Sequence, residues 1–436
     1  MKCLAGFREV LMALMLCLIG VAGAYAGGVE PIQLSGAGNN AHSPFFTRDH
    51  KGNPVVCWLE QEEGAKEAVM YFAVSYDQGI SFGKAVKIPA SLGANPSGGE
   101  CPPKVAFKKD GTIVAVYRKS LPVEGNPYAG DIFQVISGDG GKSWSAPVSV
   151  NPGAGVNTSG GFFDLEALPD GQVGVIWLEG RAKDDLSGRG SALKFSSSTE
   201  KGGFGKAVTI SENSCQCCKT KLFADAGGMY HVVFREIYTD QARDISHSYS
   251  SDAGKSFSMP VNISQDKWYL QGCPHVGPDV DEVNGRLQFT WFTMGGGAGI
   301  YMASQTGGAY SGRKAVVETE KASRPQLAAL ENGGTVLVWE ELMQGDGKYI
   351  QRVGVRINPL GKTDSKNLYL RNFPGAHHPV VITLGKQFAG LAFTLSSGKN
   401  DKVFYLRMDT SKPGEVAEKT DPVVKGDAGF KMDFTH

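Results

Sequence analysis

The chain of 436 residues carries 44 Lys and Arg against 44 Asp and Glu, so its formal net charge is zero, and only 20% of its residues are charged. That balance excludes a basic nucleic-acid binder and an acidic disordered tail. The 41% of hydrophobic residues can fill a sizeable core, and 58 glycines without a Gly-X-Y period point to many tight turns between short strands.

At the N-terminus Lys2 and Arg8 flank the start of an apolar run over residues 10–22, followed by Ala24-Tyr25-Ala26, the small-x-small form of a signal-peptidase site. The expectation is a signal peptide over 1–26 and a periplasmic or secreted protein. Cys17 follows Met15 and Leu16 rather than small residues, which disfavours a lipoprotein anchor. No later segment offers about 18 uninterrupted apolar residues, so no membrane span is expected.

The rest of the chain is repetitive. Turn glycines recur at Gly52, Gly111, Gly171, Gly228, Gly285, Gly333 and Gly385. In six of the seven units an aromatic follows six residues later, at Trp58, Tyr117, Trp177, Phe234, Trp291 and Trp339; the seventh has Phe393 eight residues on. The aromatics sit in nearly continuous apolar runs, such as Pro54-Val55-Val56-Cys57-Trp58, that read as buried strands. A fixed period of this kind signals an array of similar units.

An eight-residue template lies downstream in three units: Ser75-x-Asp77-x-Gly79-x-x-Phe82, Ser137-x-Asp139-x-Gly141-x-x-Trp144 and Ser250-x-Asp252-x-Gly254-x-x-Phe257. Asp accepts hydrogen bonds from nearby backbone N–H groups, Gly supplies a positive φ, and the aromatic is expected to fold back over the turn. These segments resemble the Asp-box (BNR) repeats of the sialidase superfamily. The resemblance implies an all-β fold, a single β-propeller over residues 27–410, with 411–436 as a C-terminal extension. The unit count predicts seven blades, against the six usual in sialidases, which stand as the alternative. The last unit lacks a clear fourth strand, so the N-terminal segment 29–34 is expected to close the ring, with 421–425 as the other option.

Propeller geometry then places the starts of the first strands and the ends of the second around a channel mouth opposite the boxes, with Arg118, Asp164, Glu179, Arg235, Tyr238, Arg243 and Arg324 as candidate ligand-binding residues. Sialidases clamp a carboxylate with three arginines and use a Tyr activated by Glu and an Asp acid; Arg118, Arg235, Arg324, Tyr238 and Asp164 offer those residue types. The family's Arg-Ile-Pro tripeptide is missing, however: the first unit reads His42-Ser43-Pro44-Phe45, and Arg324-Pro325 is only a fragment. The expected function is therefore an exported sialidase-like propeller that binds a carbohydrate or another small polar or anionic ligand over the channel mouth. An exo-α-sialidase-type hydrolase is the alternative, and whether the chain is an enzyme stays open.

Without Cys3 and Cys17 six cysteines remain. Cys57 lies in a buried strand and is expected to pack as a small hydrophobe. Cys101, Cys215, Cys217, Cys218 and Cys273 are all expected at the mouth. Cys215-Gln216-Cys217-Cys218, with Arg235, Arg243-Asp244 and Gly272-Cys273-Pro274-His275-Val276-Gly277-Pro278, resembles an exported sialidase-like subgroup of undefined activity. Two readings stand: a Cys218–Cys273 disulfide between neighbouring inner strands, or a soft-metal or redox site using Cys217, Cys218, Cys273 and His275. No cofactor is legible; the glycine-rich stretch 295–299 lacks the Lys-Ser/Thr of a phosphate loop.

Overall fold

The computed structural model describes residues 30–95, 101–125, 127, 129–151, 161–180, 189–200, 202–270, 272, 274–345, 348–360 and 365–418. The expected signal peptide, the segment 421–425 and Cys273 lie outside the described residues. Within them, regular structure is all strand except for two short 3-10 turns, Pro89–Ser91 and Pro413–Glu415. No helix among the described residues is long and apolar enough to cross a membrane.

The strands form antiparallel sheets that follow chain order. The first sheet runs Asn40–Arg48, Pro54–Gln61, Val69–Val74 and Val86–Ile88. Its second strand is buried up to its last residue, as expected for an apolar strand covered on both faces. The same pattern recurs in the sheet of residues 104–149. An eight-stranded sheet follows, whose two halves, 163–214 and 221–262, meet through the single pairing of Ser214 with Glu236. Further sheets cover 279–317, 322–370 and 376–409. Two additions come from the chain ends: Ala417–Glu418 pairs with Tyr369 and Leu370, and Ile32–Gln33 pairs with Tyr405 and Phe404.

The core lies between sheets. Val55, Cys57, Leu59 and Phe72 of the first sheet pack with Val105, Phe107, Ile113 and Ala115 of the second, and comparable clusters fill the later junctions. Each fully buried Val, Leu or Phe contributes about 1.5–3 kcal/mol. Cys57 belongs to this core, and burial pushes its thiol up to about 12.

The first strands also touch one another in succession. Asn40–Arg48 lies against Lys104–Phe107, that strand against Phe163–Ala167, then Lys221–Ala224, Asp279–Val283, Ala322–Ala329 and Ala376–Thr383, which lies against Asn40–Arg48. Because Asn40 pairs with Gln61 and Glu60 with Val69, the start of the first strand, the end of the second and the start of the third share one end of the sheet. The third-to-fourth connection lies at the other end.

That far end holds the three matching turns. Ser75 Oγ accepts from Gly79 N at 2.7 Å and donates to Asp77 Oδ1 at 2.9 Å, while Asp77 accepts from Ser81 N at 2.9 Å. Ser137 with Asp139 and Ser250 with Asp252 repeat these contacts. Hydroxyl and backbone bonds from Ser81, Ser143 and Ser256, with the hydroxyls of Ser75, Ser137 and Ser250 behind them, hold Asp77, Asp139 and Asp252 at about 2. Trp144 Nε1 donates to the Gly141 carbonyl of its own turn at 3.2 Å, and each of the three rings also reaches the neighbouring sheet or, for Phe257, the other half of the long one. Phe82 meets Tyr405 at 4.8 Å, Trp144 meets Phe72 at 6.4 Å and Phe257 meets Phe195 at 5.2 Å, all edge-on.

Candidate functional site

At the opposite end the ladder slips in three first strands, between His42 and Phe45, Ser323 and Gln326, and His377 and Val380. Each slip sets two residues against one aromatic: Ser43-Pro44 against Trp58, Arg324-Pro325 against Trp339, and His378-Pro379 against Phe393. Proline has no N–H to give a ladder, so a bulge is where a strand tolerates it. The residue before it takes a left-handed conformation, with φ of 60° at Ser43, 52° at Arg324 and 49° at His378. Such a conformation costs a side-chain-bearing residue about 1–3 kcal/mol, and it re-aims the side chain out of the sheet. His275, with φ 52°, is held likewise.

The re-aimed side chains meet. Ser43, His275, Arg324 and His378 line one small cavity of about 40 Å³, open to solvent, together with Lys219, Gln326 and Pro102. Its walls thus come from six of the seven first-strand starts. They carry four basic or imidazole side chains and no carboxylate.

His378 is the least satisfied group there. Both ring nitrogens are buried and lack a hydrogen-bond partner, whereas its backbone N–H donates to Glu340 Oε2 at 3.0 Å. Burial pushes its pKa down to about 3; Glu340 opposes this, and Arg324, His377 and His42 reinforce it. Arg324 donates to Glu340 Oε1 at 2.8 Å. Burial brings Lys219 down to about 8 against the pull of Asp279, which places its proton near neutrality.

Deeper between the first strands, charges pair. Asp164, 1% exposed, faces Lys104 at 3.2 Å and Lys221 at 3.9 Å and accepts from Leu222 N at 2.8 Å. Burial works to raise its pKa, but the two lysines and this bond hold it below the usual range. Glu166 and Asp281 are driven up by burial, to about 7 and about 6.

The sequence-predicted residues are thereby distributed. Arg324 and His275 line the cavity; Asp164 is committed to the lysines behind it. Arg118 is buried and donates to Ser120 Oγ at 2.8 Å. Glu179 pairs with Lys194 at 3.1 Å. Tyr238 bonds Ser246 Oγ, which also donates to Glu236 at 2.8 Å, at the junction of the two halves of the long sheet.

Arg235 and Arg243 belong to a separate cluster with the cysteines. Arg235 donates to the carbonyls of Arg243 and Phe292, both at 2.8 Å, and stacks on Trp268. Arg243 Nη1 lies 3.6 Å from Cys215 Sγ and 2.7 Å from the Gly272 carbonyl. Cys218 Sγ is 3.4 Å and Cys217 Sγ 4.0 Å from Cys215 Sγ. Sulfhydryl donation from Cys217 and Cys218, with Arg243 and Arg235 nearby, holds the Cys215 thiol well below its ordinary range; burial pushes Cys218 far up.

Lys219, Ser43 and His378 are not among the sequence-predicted ligand residues, although the pattern does place His378 at a first-strand start beside the mouth. The available signal was the Xaa-Pro pair in Ser43-Pro44, Arg324-Pro325 and His378-Pro379, repeated at matching positions of three units.

No protein-family model matches the sequence, and no curated protein matches it. Solved structures do. A lectin from Burkholderia pseudomallei superposes with a TM-score of 0.57 at 12% identity, over 87% of this chain and 97% of the lectin. A polysaccharide lyase gives 0.53 at 12% identity, over 90% and 94%. A Hadza microbial sialidase gives 0.46 at 12% identity, over 87% and 95%. The likeness is one of fold, the repeated antiparallel-sheet architecture of the β-propeller.

Proposed function

We propose that this chain is an exported, sialidase-like β-propeller of seven blades that binds a small anionic ligand, such as an acidic sugar, over the mouth of its central channel. The cyclic succession of first strands and the pairing of Ile32–Gln33 with the last sheet support seven blades closed from the N-terminal side. The observation that carries the ligand reading is His378: two buried, unpartnered ring nitrogens in a cavity shared with Lys219, His275 and Arg324. A buried polar group without a partner costs about 1–3 kcal/mol, and a ligand oxygen removes that cost. A carboxylate suits cationic Lys219 and Arg324, and sugar hydroxyls suit the imidazoles. Names of the fold neighbours, a lectin and a polysaccharide lyase, agree with a carbohydrate ligand.

The test is calorimetric titration with sialic acid, glucuronate and galacturonate against glucose and galactose. Binding of an acidic sugar, weakened at least tenfold in His378→Ala and in Lys219→Met, is expected. Equal binding of neutral and acidic sugars, or none of either, overturns the reading. The hydrolase alternative rests on Tyr238 and Glu236 sharing Ser246. Turnover of a fluorogenic sialoside that disappears in Tyr238→Phe would establish it.

A further inference from the structure

We propose that Cys215, Cys217 and Cys218 form a three-sulfur site for a soft monovalent cation, Cu(I), beside the guanidinium groups of Arg235 and Arg243.

The local chain makes the site. Between the strands Val208–Ser214 and Lys221–Ala224 the backbone turns, and Cys215 N is pinned to the Arg235 carbonyl at 2.9 Å. The turn brings all three sulfurs within 4.8 Å of one another, with Cys215 at 3.4 Å from Cys218 and 4.0 Å from Cys217. A metal–thiolate bond of about 2.3 Å places the sulfurs of a trigonal site about 4 Å apart, so these thiols need only a small adjustment. The three residues are 1%, 6% and 1% exposed, with Ile237 and Phe162 packed against them. Thiolates in an apolar shell select soft ions.

Charge points to the valence. Among the described residues neither Arg235 nor Arg243 has a carboxylate within ion-pair distance, although Arg235 is only 1% exposed. The carboxylate that senses Arg235, Asp266, is engaged by Arg313 and by Trp291 Nε1. Arg235 Nε is buried without a partner. Buried charge of this kind is ordinarily compensated, and the sulfurs are the groups at hand to do it. Three thiolates and one monovalent cation carry two negative charges, which the two arginines balance. A divalent ion would leave one positive charge over.

Among the described residues these three sulfurs are the one group of His, Cys, Asp or Glu donor atoms gathered within 4.8 Å of one another. His275 lines the cavity and stands 6.1 Å from the Phe162 ring, centroid to centroid.

The full-length exported protein, reduced and kept anaerobic, is titrated with Cu(I) supplied as its acetonitrile complex in the presence of a chromophoric Cu(I) chelator. The expected result is one Cu(I) per chain withdrawn from the chelator, a new ultraviolet sulfur-to-copper absorption and one added copper in native mass spectrometry. Cys217→Ser and Arg243→Met should each weaken retention at least tenfold, with thermal melting of the metal-free variants confirming that they fold. Failure of the folded wild type to take copper from the chelator overturns the proposal. So does retention of Zn(II) in preference to Cu(I), uptake unchanged in Cys217→Ser, or a disulfide within the trio that resists reduction.

Discussion

At the turn face Ser75, Ser137 and Ser250 each satisfy a glycine N–H and an aspartate within a few residues of themselves; at the mouth face His378 keeps two ring nitrogens without a partner. The glycines and aromatics of the first face are used to pack one sheet on its predecessor. The prolines and left-handed residues of the second are used to break the ladder and turn side chains away from it. The same repeated sheet therefore spends its local chemistry on stability at one end and holds strained, unsatisfied groups at the other, as functional sites do.

The sharpest way to break this contrast is Gly254→Val. A Cβ there would meet Phe195 Cε1 at 2.2 Å with φ at +78°, so a loss of roughly 2–4 kcal/mol is expected in denaturant unfolding. Affinity for an acidic sugar should be unchanged in the fraction that folds. His378→Ala should do the reverse, lowering affinity at least tenfold while stability stays level or rises, because a buried group without partners is removed. A mouth variant as destabilised as Gly254→Val would end the distinction.

Acid separates the faces by window. His378 titrates near 3 in the fold and near 6.5 when unfolded. Between those values the unfolded chain binds a proton that the folded chain refuses, so its contribution falls with acidification at up to about 1.4 kcal/mol per pH unit. Asp77, Asp139 and Asp252 sit near 2 against 3.8, so their contribution is full above 3.8 and is lost as pH falls through 2. In unfolding measured from pH 7 to 4.5 the slope of stability against pH should therefore drop in His378→Asn by up to about 1.4 kcal/mol per pH unit relative to wild type, and keep the wild-type value in Asp139→Asn. The smallest effect is Ser250→Ala: Gly254 N loses its acceptor at 2.9 Å, and about 1 kcal/mol is expected in the same unfolding assay.

How much was legible differs between the faces for a physical reason. Ser-x-Asp-x-Gly-x-x-aromatic is a local code, since every hydrogen bond in it closes within five residues; the three turns were therefore readable from spacing, and only the landing point of each aromatic was not. The mouth is nonlocal. Lys219, Ser43 and His378 are separated by more than 150 residues from one another and become neighbours only when the first strands pack side by side. Asp164 shows the converse: expected at the rim, it is held by Lys104, 60 residues away, and by Lys221. The cysteines lie between these cases, because the proximity of Cys215, Cys217 and Cys218 is local, while Arg235 and Arg243 are brought to them by strand pairing.

From its order of residues alone this chain determined an all-β array of repeated units, the positions of its buried aromatics and three self-satisfied turns, because a hydrophobic period and short-range hydrogen bonds need no distant partner. Tertiary packing decided which charges neutralise one another, which nitrogens stay without a partner and which way the bulged residues point. Those outcomes depend on the distance and desolvation between strands far apart in the chain, and neither quantity is carried by any one segment.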